Sequence, residues 1–167
     1  MTTPYTTVPV EQQKSLYVAL MGASNVGKST LVNDMVGGKV SIVTPKVQTT
    51  RNVIKGIVMT GDTQLVLIDT PGIFAPKRPL ERSIVRTAWQ GIHEADVLAW
   101  VIDAKRGMTD AMESINTQLT HETRPVILII NKIDLLSKDA LLPLTATFNQ
   151  LRNFDRIFMI SALRGMG

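Results

Sequence analysis

Gly22-Ala23-Ser24-Asn25-Val26-Gly27-Lys28-Ser29 is the stretch that decides the fold. It fits GxxxxGK[ST], and the residues around it matter as much as its letters. Residues 16–21 form a short apolar run of buried-strand type just before it. Residues 29–36 follow with Leu31, Val32, Met35 and Val36 at helical spacing, and Gly37-Gly38 ends the run. Strand, glycine loop and helix in this order make a phosphate cradle. The glycines let the backbone turn tightly, so that successive N–H groups aim at phosphate oxygens. The helix N-terminus adds partial positive charge. Asn25, Val26, Gly27, Lys28, Ser29 and Thr30 are the contacts expected here. Lys28 suits the β- and γ-phosphates, and the Ser29 hydroxyl suits Mg²⁺. The dinucleotide fingerprint GxGxxG is absent from this turn, which argues against a Rossmann cofactor site.

Outward from the loop, short apolar runs alternate with amphipathic stretches. Residues 53–60 and 63–68 are β-rich and separated by Gly61-Asp62, a hairpin signal that predicts antiparallel neighbours. Residues 44–50 and 71–79 read as loops, the second because of three prolines and a glycine. Residues 80–92, 111–119 and 141–151 read as helices, and 97–103, 126–131 and 156–160 as strands. This alternation predicts a three-layer α/β domain over residues 15–167, with a mostly parallel six-stranded sheet and one antiparallel hairpin strand. Residues 1–14 read as a polar, disordered lead. A helix covering the sheet is expected after the last strand, and the sequence reaches Gly167 without one.

Composition agrees with one ordinary domain. The 167 residues suffice for a core without staples. The absence of cysteine excludes a disulfide scaffold, a Cys-based zinc site and a thiol nucleophile. Lys+Arg 18 against Asp+Glu 14 gives +4, which permits an anionic partner without demanding one. The longest apolar runs are strand-sized, well short of the ~20 residues that span a bilayer. No apolar run opens the chain as in a secretory signal, so the cytoplasm is the expected compartment.

Three further elements carry chemistry. Asp69-Thr70-Pro71-Gly72 stands at the C-terminal end of the 63–68 strand, where ligands bind in open α/β sheets. Asp69 there can hold a magnesium-bound water, and Gly72 leaves room for its N–H to approach a γ-phosphate. Ile73 follows, where many GTPases place a water-orienting glutamine. Asn131-Lys132-Ile133-Asp134 follows the 126–130 run. The Asp134 carboxylate suits the adjacent N1–H and N2–H donors of guanine, which adenine lacks. Asn131 is expected to tie the loop to its neighbours, and the Lys132 stem to pack along the nucleotide. Ser161-Ala162-Leu163 offers a backbone N–H to guanine O6.

With these motifs in hand, residues 15–167 resemble a bacterial Era-type GTPase of the translation-factor-related class. The resemblance rests on GASNVGKST, on Ser41-Ile42-Val43-Thr44-Pro45-Lys46-Val47-Gln48-Thr49-Thr50-Arg51, and on DTPGI, NKID and SAL. It implies a P-loop NTPase G domain that binds GTP/GDP with Mg²⁺ and hydrolyses GTP as a molecular switch. It implies that one of Thr49 and Thr50 ligates Mg²⁺ and senses the γ-phosphate; the register favours Thr50. Lys28, Thr50 and Gly72 then form the catalytic set, and Ser29, Thr50 and Asp69 the metal set. In some relatives an asparagine at the position of Asn25 helps to bind K⁺, which replaces an arginine finger. A K⁺ site at Asn25 would fit Ile73. The resemblance also implies a role in small ribosomal subunit assembly through 16S rRNA, mainly through a C-terminal KH domain that these residues lack. A monomer, with a peripheral contact at the inner membrane, belongs to the same implication. One departure is Ser24, where the family usually has proline.

A different reading keeps every binding element but gives negligible hydrolysis, a nucleotide-gated binding module; Ile73 favours it. A P-loop kinase or ATPase is disfavoured by NKID. His93 and His121 lack metal-spaced partners, and Trp89 and Trp100 read as core. Lys77, Arg78, Arg82 and Arg86 read as a solvated helix face or a partner contact.

Overall fold

The computed structural model describes residues 14–37, 54–70, 72, 89 and 92–167, with residues 54 and 55 described for their backbone alone. The described strands are β1 (Lys14–Met21), β2 (Ile54–Thr60), β3 (Thr63–Asp69), β4 (Val97–Asp103), β5 (Val126–Asn131) and β6 (Arg156–Met159). The described helices are α1 (Lys28–Gly37), α2 (Asp110–Leu119) and α3 (Lys138–Leu151), with a single 3₁₀ turn at Ile133–Leu135. One six-stranded sheet runs β2-β3-β1-β4-β5-β6. Only the β2–β3 pair is antiparallel; the other four pairings are parallel.

Side-chain alternation sorts the core into two layers. In β4, Leu98, Trp100 and Ile102 face a cluster built with Met112, Ile115 and Leu119 of α2 and Phe148 of α3. The intervening Ala99 and Val101 face Leu31 and Val32 of α1 on the other side. Both faces of the central strands are covered, which is why they read as unbroken apolar runs. Chain order reverses at β1: the chain passes through α1 to β2 on one side, then from β3 back to β4 on the other. A crevice forms at such a switch point, outside the carboxyl ends of the strands. Register brings those ends level, with Leu20 opposite Asp69 and Asp103 opposite Asn131.

The opposite edge is stitched by side chains. Asp96 accepts the Tyr17 N–H at 2.8 Å, and Asp155 accepts the Val126 N–H at 2.8 Å. Arg124 donates to the carbonyls of Ile92 (2.7 Å) and Ala95 (2.9 Å) and pairs with Glu122 at 2.6 Å.

The hairpin falls where Gly61-Asp62 places it, and the parallel sheet is as expected. α3 begins at Lys138, three residues before the expected start at 141. Pro143 hides that first turn in the sequence, because it lacks the N–H that would reach back four residues. The helix continues past it because Phe148, with Leu144 and Leu151, packs on the core. Of the expected 80–92 helix, Trp89 and Ile92 are described, and both are helical. The segments 44–50 and 73–79 lie outside the described residues. Trp100 is fully buried, whereas His93 and His121 are exposed. Among the described residues, no helix is long and apolar enough to cross a membrane.

Candidate nucleotide site

The loop from β1 to α1 curls around the ammonium of Lys28. This side chain is 8% exposed. Its Nζ donates to the carbonyls of Gly22 (3.0 Å) and Ala23 (2.9 Å). Burial lowers its pKa, and the negative charge of Asp69 opposes that shift. A buried cation at the mouth of α1 is a standing demand for an anion. Gly27 has φ +98, and a Cβ there would fall on Nδ2 of Asn131, so no larger residue fits.

Asp69 ends β3 directly across from the loop. Ser29 Oγ donates to its Oδ2 at 3.1 Å. Its Oδ1 is buried and has no hydrogen-bond partner. Among the described residues, no three His, Asp or Glu gather into a metal cluster. A divalent ion here would therefore rest on a hydroxyl, one acid and ligand oxygens, the pattern Mg²⁺ favours. The orphaned Oδ1 beside a serine hydroxyl fits that ion. Gly72 lies against the loop, and a Cβ on it would meet Ser24. Ser24, Asn25, Gly27, Lys28, Ser29, Thr30, Asp69, Thr70, Gly72 and Lys132 line one cavity of about 520 Å³.

A second cavity, about 160 Å³, shares Gly27, Thr30 and Lys132 with the first and adds Asn131, Asp134, Leu135 and Leu163. Asn131, 2% exposed, is the hub between them. Its Nδ2 donates to the Val26 carbonyl at 2.9 Å. Its Oδ1 accepts the N–H groups of Lys132 (2.8 Å) and Ala162 (3.0 Å). One amide thus joins the phosphate loop, the NKID loop and the SAL turn. The Ala162 N–H is engaged in this knot. Lys132 has φ 65, and its Nζ reaches the Asn25 carbonyl and Asp103.

Asp134 opens onto the second cavity. Its pKa lies below the usual aspartate value, chiefly because the Ser161 hydroxyl faces it; burial opposes, and the charge of Arg164 adds to the lowering. Ser161 Oγ is itself buried and has no hydrogen-bond partner. Arg164 Nε stands 3.5 Å from Asp134 Oδ2. The carboxylate is held ionised, as an acceptor for two adjacent donors requires.

The structure thus brings together Asn25, Gly27, Lys28, Ser29, Thr30, Asp69, Gly72, Asn131, Lys132, Asp134 and Leu163 along two joined cavities. Val26, Ser161 and Ala162 are buried behind the walls. Thr49, Thr50 and Ile73 lie outside the described residues, as do Lys77, Arg78, Arg82 and Arg86. The sequence reading missed Asp103, 6% exposed and in contact with Lys132. Its signal was positional: an acid at the C-terminal end of a strand, level with Asn131.

Known proteins share much of this sequence and fold. A family model described as "50S ribosome-binding GTPase" matches residues 17–132. GTPase Era of Bradyrhizobium sp. (strain ORS 278) is 52% identical over 151 residues, 90% of this chain and 49% of that protein. GTPase Era of Brucella suis biovar 1 is 50% identical over 156 residues, 93% of this chain and 50% of its own length. The chain spans about half the length of the curated relatives it matches. A crystal structure of Era in complex with MgGDPNP and nucleotides 1506–1542 of 16S ribosomal RNA superimposes with a TM-score of 0.77 at 40% identity. That superposition covers 92% of this chain and 53% of that one. The chain belongs to the 50S ribosome-binding GTPase family and is similar, over nearly all its length, to about half of GTPase Era.

Proposed function

We propose that this chain binds GTP and GDP with Mg²⁺, hydrolyses GTP, and serves as the switch of a protein that acts in small ribosomal subunit assembly through 16S rRNA. The carrying observation is the pair of joined cavities, one ending in the buried Lys28 ammonium and the other in the ionised Asp134 carboxylate. A cation at one end and a double acceptor at the other match a phosphate chain and a guanine edge.

In this reading the loop amides and Lys28 hold the phosphates. Ser29 and Asp69 are the described residues that would hold Mg²⁺, with Thr50 as the further ligand proposed from the motif. The ion supplies charge neutralisation on the phosphate oxygens. Lys28 stabilises negative charge that spreads as the γ-phosphoryl group departs, and water attacks in line. Gly72 brings its N–H near the loop because no side chain keeps it away. Asp134 reads guanine, Asn131 and Ala162 hold its loop, and Leu163 lines the base cavity. The relative solved with 16S rRNA nucleotides supports the ribosomal role, which is proposed for the whole protein. A cytoplasmic monomer with a peripheral contact at the inner membrane belongs to the same proposal.

The test is nucleotide binding and turnover with GTP and ATP side by side. Equal affinity for the two would defeat the reading. Ile73 favours a second reading, in which binding persists and intrinsic hydrolysis is negligible. Single-turnover assays in K⁺ and in Na⁺ separate the two. Turnover restored by K⁺ supports a hydrolase with a cation at Asn25; no turnover in either salt supports the binding module.

A further inference from the structure

Asp103 ends β4 at the site, and no motif of the chain includes it. It is 6% exposed, and a buried carboxylate must be paired. Its Oδ1 accepts the Lys105 N–H at 3.0 Å, and its Oδ2 accepts Lys132 Nζ at 2.7 Å. The same Nζ donates to the Asn25 carbonyl at 2.6 Å. Arg106, three residues on, has its Nε 3.7 Å from Asp103 Oδ2 and its Nη1 3.3 Å from the Ser24 carbonyl. Arg106, after β4, and Lys132, after β5 and paired with Asp103, therefore hold two consecutive carbonyls of the phosphate loop.

Peptide planarity gives that grip a consequence. In a trans peptide the C=O and the following N–H point in opposite directions. Holding the Ser24 carbonyl fixes the Asn25 N–H pointing the opposite way, and holding the Asn25 carbonyl does the same for the Val26 N–H. Asn25 and Lys132 have φ 64 and 65, and among the described residues they are the only non-glycines with positive φ. Such residues persist only where their surroundings hold them. One ammonium fastens both of them, and Asp103 is the charge that keeps it seated.

We propose that Asp103 is a positioning residue for nucleotide retention, acting through Lys132 to keep the phosphate-loop amides turned toward the ligand, with Arg106 as a second, outer tie. This rests on the guanine-nucleotide reading above, and its test includes a part that does not.

The first measurement is the release rate of fluorescent GDP, chased with unlabelled GDP. Asp103→Ala should speed release about tenfold, the scale of one charge-assisted hydrogen bond. Asp103→Asn, which keeps an acceptor, should speed it less. Asp103→Ala combined with Lys132→Met should release no faster than Lys132→Met alone, because the carboxylate acts through the ammonium. Unchanged release in Asp103→Ala, or rates that multiply in the double variant, overturns the proposal. If Asp103→Ala does not fold, Asp103→Asn and Arg106→Ala carry the same comparisons. The second measurement is hydrogen exchange in the ligand-free protein. Asp103→Ala should raise exchange in residues 24–28 and leave residues 18–21 of β1 unchanged. Equal exchange in the loop overturns the proposal whether or not GDP binds. Failure of the wild-type protein to hold GDP would instead remove the functional reading, leaving exchange to decide the role of Asp103.

Discussion

Replacing Asn131 with alanine tests whether one buried amide joins the three loops of the site. The side chain makes three hydrogen bonds, to the Val26 carbonyl and from the N–H groups of Lys132 and Ala162, and is 2% exposed. Truncation leaves all three backbone partners short of a bond. Each is worth about 1 kcal/mol net, and an orphaned buried group costs about 1–3 kcal/mol. Water can enter the space left by the amide, which favours the low end of that range, so the expected loss is about 3 kcal/mol. Against a total stability of about 5–15 kcal/mol this is severe. For a domain of this size it lowers Tm by roughly 6–12 °C. The assay is thermal unfolding of the ligand-free protein followed by circular dichroism. Asp134→Asn is the internal control: Arg164, its nearest cation, is 65% exposed, and such pairs contribute little, so its Tm should stay within 2 °C or so of wild type. An Asn131→Ala variant that melts within about 2 °C of wild type would refute the hub, since three lost buried bonds cannot be that cheap.

Asp134→Asn should move preference from GTP toward XTP by ~10²-fold or more, because xanthine replaces the N2–H donors with an acceptor; competition binding reads it, and retained GTP selectivity argues against the base-reading role. Gly72→Ala should impair GTP more than GDP, since the added methyl falls on Ser24 of the phosphate loop; titrations with GDP and a non-hydrolysable GTP analogue check this, and equal losses would show only a general disturbance. Glu122 has its pKa lowered from 4.5 to about 2, first by its side-chain hydrogen bond to Arg124. A depressed carboxylate stabilises fully above its unfolded pKa and loses that contribution as pH falls through the folded one. Acid unfolding of Glu122→Gln should therefore be flatter than wild type between about pH 4.5 and 2, and parallel curves would contradict it.

The sheet was legible because its signals are local. The Gly61-Asp62 turn fixes the hairpin, and the apolar runs at 97–103 and 126–131 have no other stable use. The phosphate loop was legible for the same reason, since its chemistry lies in eight consecutive residues. The start of α3 was not, because Pro143 contradicts a helix that tertiary packing of Phe148 overrides. Nor was the bond from Asn131 to Val26, whose partners are 105 residues apart and meet only through sheet register. Asp103 escaped for the same reason: its closest cation, Lys132, is 29 residues away, and an arginine three residues on does not by itself mark a site.

The hairpin turn has a practical consequence. Asp69 ends β3 at the site, and Gly61-Asp62 precedes its other end, seven residues and about 20 Å of strand away. Gly61 has open space around it, with no atom where a side chain would go. It is therefore a place to attach a surface tether or an inserted tag while every nucleotide-facing loop stays free. A molecule anchored there would present its whole working edge outward, the orientation a single-molecule record of nucleotide arrival and departure needs.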